Sequence, residues 1–322
     1  MEALLEVTDL RVVSSRRGGS QEIVRGVSFE VREGESVALV GESGSGKSLT
    51  MLAVMGLLGP GLSSPSGDVR FSGHELRGMP ESRLRQLRGA EMAMIYQDPM
   101  TSLNPMMRIG DQVAESLTAH GVGGKEAALR ARKELARVGI PDPDRTARAY
   151  PHEFSGGMRQ RAMIATALVT GPKLLIADEP TTALDVTIQE QILALIRERQ
   201  RGTQMATIWI THDLGVVAQL VTRVLVMYAG RIVEDAPVRE LFAAPQHPYT
   251  AGLLASLPHA GDIERAPLAQ IGGAPPAPGS VPQGCSFRPR CSQAVDKCLE
   301  DPPLMPRHAS LSACWVPREE WT

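Results

Sequence analysis

Gly41-Glu42-Ser43-Gly44-Ser45-Gly46-Lys47-Ser48 is the stretch whose reading decides the fold. Just before it, residues 35–40 (Glu-Ser-Val-Ala-Leu-Val) read as a short, mostly buried strand, and Lys47 opens a helical run, Ser48 to Leu58. Strand, glycine-rich turn and helix together make this a phosphate-binding loop rather than a Gly/Ser-rich turn. Glycines at 41, 44 and 46 let the backbone turn tightly and aim consecutive N–H groups at a phosphate, and the helix N-terminus adds partial positive charge. Lys47 is expected to reach the β- and γ-phosphates and the Ser48 hydroxyl to ligate Mg²⁺. The expected nucleotide-contacting set is Gly41, Ser43, Gly44, Ser45, Gly46, Lys47, Ser48 and Leu49.

Two further segments extend this chemistry. Leu174-Leu175-Ile176-Ala177 fits a central parallel strand that ends in Asp178-Glu179. Acidic residues at the carboxyl end of such a strand face the phosphate loop across the switch-point crevice. Asp178 is expected to hold Mg²⁺ through water, and Glu179 to polarise the attacking water as general base. Phe154-Ser155-Gly156-Gly157-Met158-Arg159-Gln160 puts small residues at the start of a helix, Met158 to Leu168, a second anion-binding N-terminus.

With these residues in hand, the chain resembles the ATP-binding subunits of ABC transporters, and more narrowly the oligopeptide/dipeptide importer ATPases, from Leu5 to about Trp315. The resemblance implies an α/β fold: an ABC-type P-loop ATPase with a parallel-sheet core, an antiparallel β subdomain, a helical subdomain insertion and a small cysteine-rich C-terminal extension. It makes Ser155, Gly156 and Gly157 the signature that grips the γ-phosphate of ATP held by an opposing subunit. It casts Gln97 as the sensor of Mg²⁺ and water, His212 as the switch contacting the γ-phosphate, and Asp185 as the aspartate that communicates across the dimer. Glu179, His212 and Gln97 are then the catalytic set, and Ser48, Gln97 and Asp178 the Mg²⁺ set. The aromatic that stacks on adenine in this family is missing: Ser14 takes its place, leaving aliphatic atoms or the guanidinium of Arg16 or Arg17 to hold the base.

Along the chain, residues 1–258 form the expected ATPase domain. Strands surround the phosphate loop up to 96, a helical subdomain covers about 98–170, and strand and helix alternate over 171–235. Gly121 to Gly124 and Pro141 to Pro143 mark helix breaks. Pro99-Met-Thr-Ser-Leu-Asn-Pro105 resembles the family segment that receives the permease coupling helix. His247-Pro248-Tyr249-Thr250 starts a short helix. Residues 259–322 form the extension, with a Pro/Gly/Ala-rich linker from Ala266 to Gly284.

All four cysteines lie in that extension: Cys285, Cys291, Cys298 and Cys314. In a reducing compartment their clustering suggests a metal centre rather than disulfides, a four-thiolate zinc or a [4Fe–4S] cluster, with unligated thiols as the third reading. Gly284-Cys285-Ser-Phe287-Arg-Pro-Arg290-Cys291 resembles the cluster-binding tail of some peptide-importer ATPases, which puts iron–sulfur first and zinc second.

Over 322 residues the formal charge is −2, and acidic residues interleave the arginine clusters, so no nucleic-acid surface is expected. The N-terminus lacks a basic region followed by an apolar core, and no segment reaches the ~18–20 apolar residues of a membrane span. The expectation is a peripheral protein at the cytoplasmic face of the membrane. By resemblance its partners are a second homologous ATPase forming a heterodimer, two transmembrane permeases and, through them, an extracytoplasmic binding protein. An importer for nickel or another small solute is the nearest rival. A non-transport ABC ATPase is disfavoured by the single cassette, the lack of a heptad array and the slight negative charge.

Overall fold

The computed structural model describes residues 3–16, 19–180, 186–257 and 270–321. In chain order, strands β1 (Ala3–Arg16), β2 (Gly19–Arg32) and β3 (Ser36–Val40) lead into helix α1 (Lys47–Val54). Short strands β4 (Leu62–Ser63), β5 (Asp68–Phe71) and β6 (His74–Glu75), helix α2 (Glu81–Leu87) and strand β7 (Met92–Ile95) follow. Five helices come next: α3 (Pro99–Ser102), α4 (Ile109–Thr118), α5 (Gly124–Arg137), α6 (Pro143–Thr146) and α7 (Gly156–Leu168). Then come β8 (Leu174–Asp178), α8 (Val186–Gly202), β9 (Ala206–Ile210), α9 (Leu214–Leu220), β10 (Arg223–Tyr228) and β11 (Arg231–Pro237). Helices α10 (Val238–Ala243) and α11 (Pro248–Ala255) and strands β12 (Met305–Arg307) and β13 (Ser310–Ser312) complete the path.

The chain divides into two compact units. The first comprises Met1–Val31, Ser36–Arg77 and Ile210–Thr322. It holds the antiparallel sheet β2-β1-β5-β6, with β4 on β1, and the strip β12-β13-β11-β10-β3. Within the strip β3 runs parallel to β10, and the remaining pairings are antiparallel. The second unit comprises Arg32–Glu35 and Gly78–Trp209, and carries β9-β8-β7, with β7 parallel to β8, and helices α2 to α8. Every residue of β3, β7, β8 and β9 is buried. Their apolar runs lack the alternation of a one-faced strand because both sheet faces are covered.

Helix α1 stops at Val54, short of the run to Leu58 read from the sequence. Gly56, at φ 64°, takes the left-handed position after the cap. Its N–H donates to Ala53 O at 3.0 Å and the Leu57 N–H to Leu52 O at 2.8 Å, the paired bonds that terminate a helix. The breaks within the helical subdomain fall where read. Gly121 turns at φ 85° between α4 and α5, and Asp142 at φ 45° precedes Pro143, the first residue of α6.

Candidate nucleotide site

Each group of site residues has its own local geometry. In the first unit, β3 delivers the chain to Gly41, whose φ of 150° is open to glycine and whose place tolerates no side chain. A Cβ there would lie 2.1 Å from the Met227 carbonyl oxygen. The Gly230 N–H donates to Ser45 O at 2.9 Å, so the β10–β11 turn braces the loop. Lys47 is buried, and its Nζ donates to Gly41 O at 2.7 Å and Glu42 O at 2.9 Å. No side chain caps α1 at Gly46, and a Cβ on Gly44 would meet nothing within 4 Å. A helix start with no side-chain cap and open space beside Gly44 suits an anionic ligand such as a triphosphate.

Ser48 and Leu49 lie half-buried in the first turn of α1, and Ser43 is exposed on the loop. His212 is exposed just past β9. The adjacent Asp213 carboxylate fixes that turn by accepting the Gly215 and Val216 N–H groups at 2.9 and 3.2 Å. Ser14 is buried in β1 and paired with Leu62 of β4. The Arg16 side chain, Arg17 and Asp185 lie outside the described residues.

In the second unit, β8 carries Asp178 buried at its end. Glu179 follows with φ 45°, a left-handed backbone that residues other than glycine rarely adopt. Its Oε2 accepts a hydrogen bond from Gln97 Nε2 at 2.8 Å, so two of the residues singled out from sequence meet directly. Ser155 and Gly156 are exposed at the start of α7. The Ser155 hydroxyl caps its own helix, accepting the Met158 N–H at 3.3 Å, and so orders the signature turn. Buried Gln160 donates from its side-chain amide to Pro180 O, tying α7 to the turn after Glu179.

The tail gathers its four cysteines as free thiols, Cys298 and Cys314 buried, Cys285 and Cys291 half-buried. Burial, and then the neighbouring thiols Cys291, Cys285 and Cys298, push Cys314 up to about 12. Burial also raises Cys285 and Cys291, and each of those sites senses Cys298. The thiols share one neighbourhood, with the Cys285 N–H donating to Cys298 O at 3.0 Å. Among the described residues, no group of three or more His, Cys, Asp or Glu side chains stands in position to hold a metal ion.

Sequence reading missed three residues that shape the loop. Tyr249, fully buried in α11, accepts the Glu42 N–H on its phenol oxygen at 2.8 Å. Tyr228 packs against it at 4.6 Å between ring centroids. Arg290 reaches the Glu42 carboxylate with both terminal nitrogens, at 2.7 and 2.9 Å. Two of them sat in motifs already noticed, but nothing in either motif points 200 residues back to Glu42.

Comparison with known proteins agrees with this architecture. Residues 24–182 match the family model described as ABC transporter, and residues 233–298 the one described as oligopeptide/dipeptide transporter, C-terminal region. The dipeptide transport ATP-binding protein DppD of Bacillus subtilis is 50% identical over 303 residues, 92% of this chain and 89% of the relative. The oligopeptide transport ATP-binding protein OppD of Salmonella typhimurium is 49% identical over 319 residues, 98% of this chain and 95% of the relative. In structure, the chain is similar to the ATP-binding cassette MJ0796 bound to ADP and Pi, with a TM-score of 0.67. That match has 24% identity and covers 73% of this chain and 99% of the other.

Proposed function

We propose, from the premise that this chain belongs to the ABC transporter ATP-binding family, that it is the ATP-hydrolysing subunit energising import of oligopeptides or dipeptides across the cytoplasmic membrane. The observation that carries the peptide reading is the match of residues 233–298 to the C-terminal region of oligopeptide/dipeptide transporters. Near-full-length similarity to relatives named as peptide-transport ATP-binding proteins supports it.

In this reading the loop from Gly41 to Leu49 takes the triphosphate, with Lys47 on the β- and γ-phosphates. Lys47, now spread over Gly41 O and Glu42 O, exchanges carbonyl partners for phosphate oxygens without leaving the loop. Ser48, Gln97 and Asp178 supply hydroxyl, amide and carboxylate oxygens, a donor set that fits Mg²⁺. Bound Mg²⁺ neutralises charge on the phosphates. Glu179 accepts the proton of the attacking water, and its contact with Gln97 orients the carboxylate for that task. His212 is the γ-phosphate switch, and Ser155, Gly156 and Gly157 serve the nucleotide of an opposing subunit. That subunit is a homologous ATPase, and Asp185 contributes to the communication between the two.

The remaining partners are two permeases, met through the helical subdomain at 98–170, and an extracytoplasmic binding protein reached through them. Among the described residues no helix is long and apolar enough to cross a membrane, which fits a subunit at the cytoplasmic face relying on others for the pore. Sulfur is the donor that both an iron–sulfur cluster and zinc take, and a bound metal would have to supply the charge that ionises Cys285, Cys291 and Cys314, which burial raises. A [4Fe–4S] cluster on Cys285, Cys291, Cys298 and Cys314 is the leading reading and zinc the alternative. Anaerobic purification with iron, sulfide and zinc analysis separates them: about four irons per chain for the cluster, one zinc for the alternative.

Uptake tests the function. Cells lacking this chain are expected to lose uptake of labelled di- and oligopeptides, regaining it with the chain but not with Glu179→Gln. Unchanged peptide uptake, or loss of nickel uptake alone, would overturn the reading.

A further inference from the structure

The segment between the first two tail cysteines is bolted onto the phosphate loop at two points. At the first, Arg290 makes a two-pronged ion pair with Glu42, the second residue of the loop. The Arg290 side chain is only 5% exposed and Glu42 27%, so water screens this pair weakly. The rest of the guanidinium is fully engaged: Nε donates to Gly272 O at 2.9 Å and Nη2 to Ile271 O at 3.3 Å. At the second point, Ser286 Oγ accepts from Arg25 Nη1 at 2.8 Å, and the Arg25 N–H donates to Gly230 O at 2.8 Å. Gly230 in turn donates to Ser45 O inside the loop. Phe287 fills the space between, its ring 5.3 Å from Tyr228 and 5.4 Å from Tyr249, whose phenol oxygen holds the Glu42 N–H.

The charges give this arrangement a purpose. A phosphate loop gathers positive potential for a polyanion, and a carboxylate at its second position works against that. Glu42 is tolerable beside a triphosphate when a cation neutralises it, and Arg290 is a planar, permanently charged fork that does so while fixing the carboxylate's direction. The carboxylate, the Glu42 N–H and the Glu42 carbonyl on Lys47 Nζ are thus held by three different partners, two of them from the C-terminal part of the chain.

We infer that Arg290 is a positioning residue for ATP, setting the phosphate loop through Glu42, so that nucleotide affinity reads the folded state of the C-terminal tail. The inference rests on the loop being the ATP site. Because coupling is reciprocal, ATP bound at the loop must tighten the Cys285–Cys291 segment by the same factor that the segment tightens ATP.

The test uses the full chain. Equilibrium ATP binding is measured for wild type, Arg290→Met, Glu42→Gln and the double variant, with hydrogen exchange of residues 285–291 followed with and without ATP. Removing the arginine alone leaves the carboxylate uncompensated. Arg290→Met is therefore expected to weaken ATP binding by about tenfold, within the usual range of intersite coupling. Adding Glu42→Gln is expected to recover most of that loss, an effect that mere loosening of the tail would not produce. In wild type, saturating ATP is expected to slow exchange across 285–291, and Glu42→Gln to speed it. Wild-type affinity in Arg290→Met, or a loss that Glu42→Gln leaves untouched, would overturn the inference. If Arg290→Met does not fold, exchange across 285–291 that ignores both ATP and Glu42→Gln overturns it on its own. Absence of ATP binding by the wild-type chain would instead strike the ATP-site assignment.

Discussion

Glu234 and His247 make opposite demands on pH, and one substitution separates them. Glu234 lies in β11 with no exposed surface, its two carboxylate oxygens accepting the N–H groups of Gln246 at 2.7 Å and His247 at 2.9 Å. Burial outweighs those bonds and the nearby Arg318, raising the group from the usual 4.5 to about 7. His247 is buried beside it, its Nδ1 accepting the Tyr249 N–H at 3.1 Å, and burial pushes it from 6.5 down to about 3. For Glu234 the folded chain holds the proton more tightly than the unfolded chain, so its contribution is full below pH 4.5 and lost as pH rises through 7. For His247 the unfolded chain takes the proton first, so stability falls as pH drops below 6.5.

At about 1.4 kcal/mol per pH unit, the Glu234 interval amounts to about 3 kcal/mol. Between pH 4.5 and 6.5 the two slopes cancel. Glu234→Gln removes one of them. The assay is urea unfolding of wild type and Glu234→Gln from pH 4.5 to about 7.5, followed by the fluorescence of Trp209, Trp315 and Trp321. The stability of wild type relative to the variant is expected to fall by about 3 kcal/mol from pH 4.5 to about 7.5, while the variant alone gains stability up to pH 6.5 as His247 dictates. Parallel profiles for the two proteins would refute the reasoning.

Two further expectations concern the framework. Gly41→Ala drives a Cβ to 2.1 Å from the Met227 carbonyl, so a destabilisation above about 3 kcal/mol together with lost ATP binding is expected by calorimetry and nucleotide titration. Glu134, 3% exposed on α5, pairs with Arg199 and with Arg137 at 3.1 Å. Glu134→Ala is expected to cost about 2 kcal/mol in urea unfolding, less than a fully buried pair because Arg199 keeps contact with water.

The nucleotide chemistry was legible in the sequence because it is local. The phosphate loop, the acidic strand end and the signature turn are contiguous strings whose spacing carries their physics, and each lies on the strand or helix its pattern implies. Gln97 and Glu179, 82 residues apart, could be paired only through family resemblance, and their side chains do meet. The bracing of the loop was not legible. Arg290 and Glu42 are 248 residues apart, and no periodicity links them. Arg290 entered only within the segment that resembles a cluster-binding tail, and Tyr249 as part of a helix start. The end of α1 was misjudged because apolar residues continue to Leu58 while the stop depends on Gly56 taking a left-handed backbone. For Ser155 the family resemblance implies a phosphate contact, and the structure adds that its hydroxyl accepts the Met158 N–H at the start of α7.

The proposed function turns on ATP hydrolysis with Glu179 as the base. The most direct measurement is ATP turnover and ATP binding, side by side, for wild type and Glu179→Gln. Glu179→Gln is expected to bind ATP as wild type does, with turnover reduced by at least about a hundredfold, the scale of a lost general base. Wild-type turnover in Glu179→Gln would contradict it.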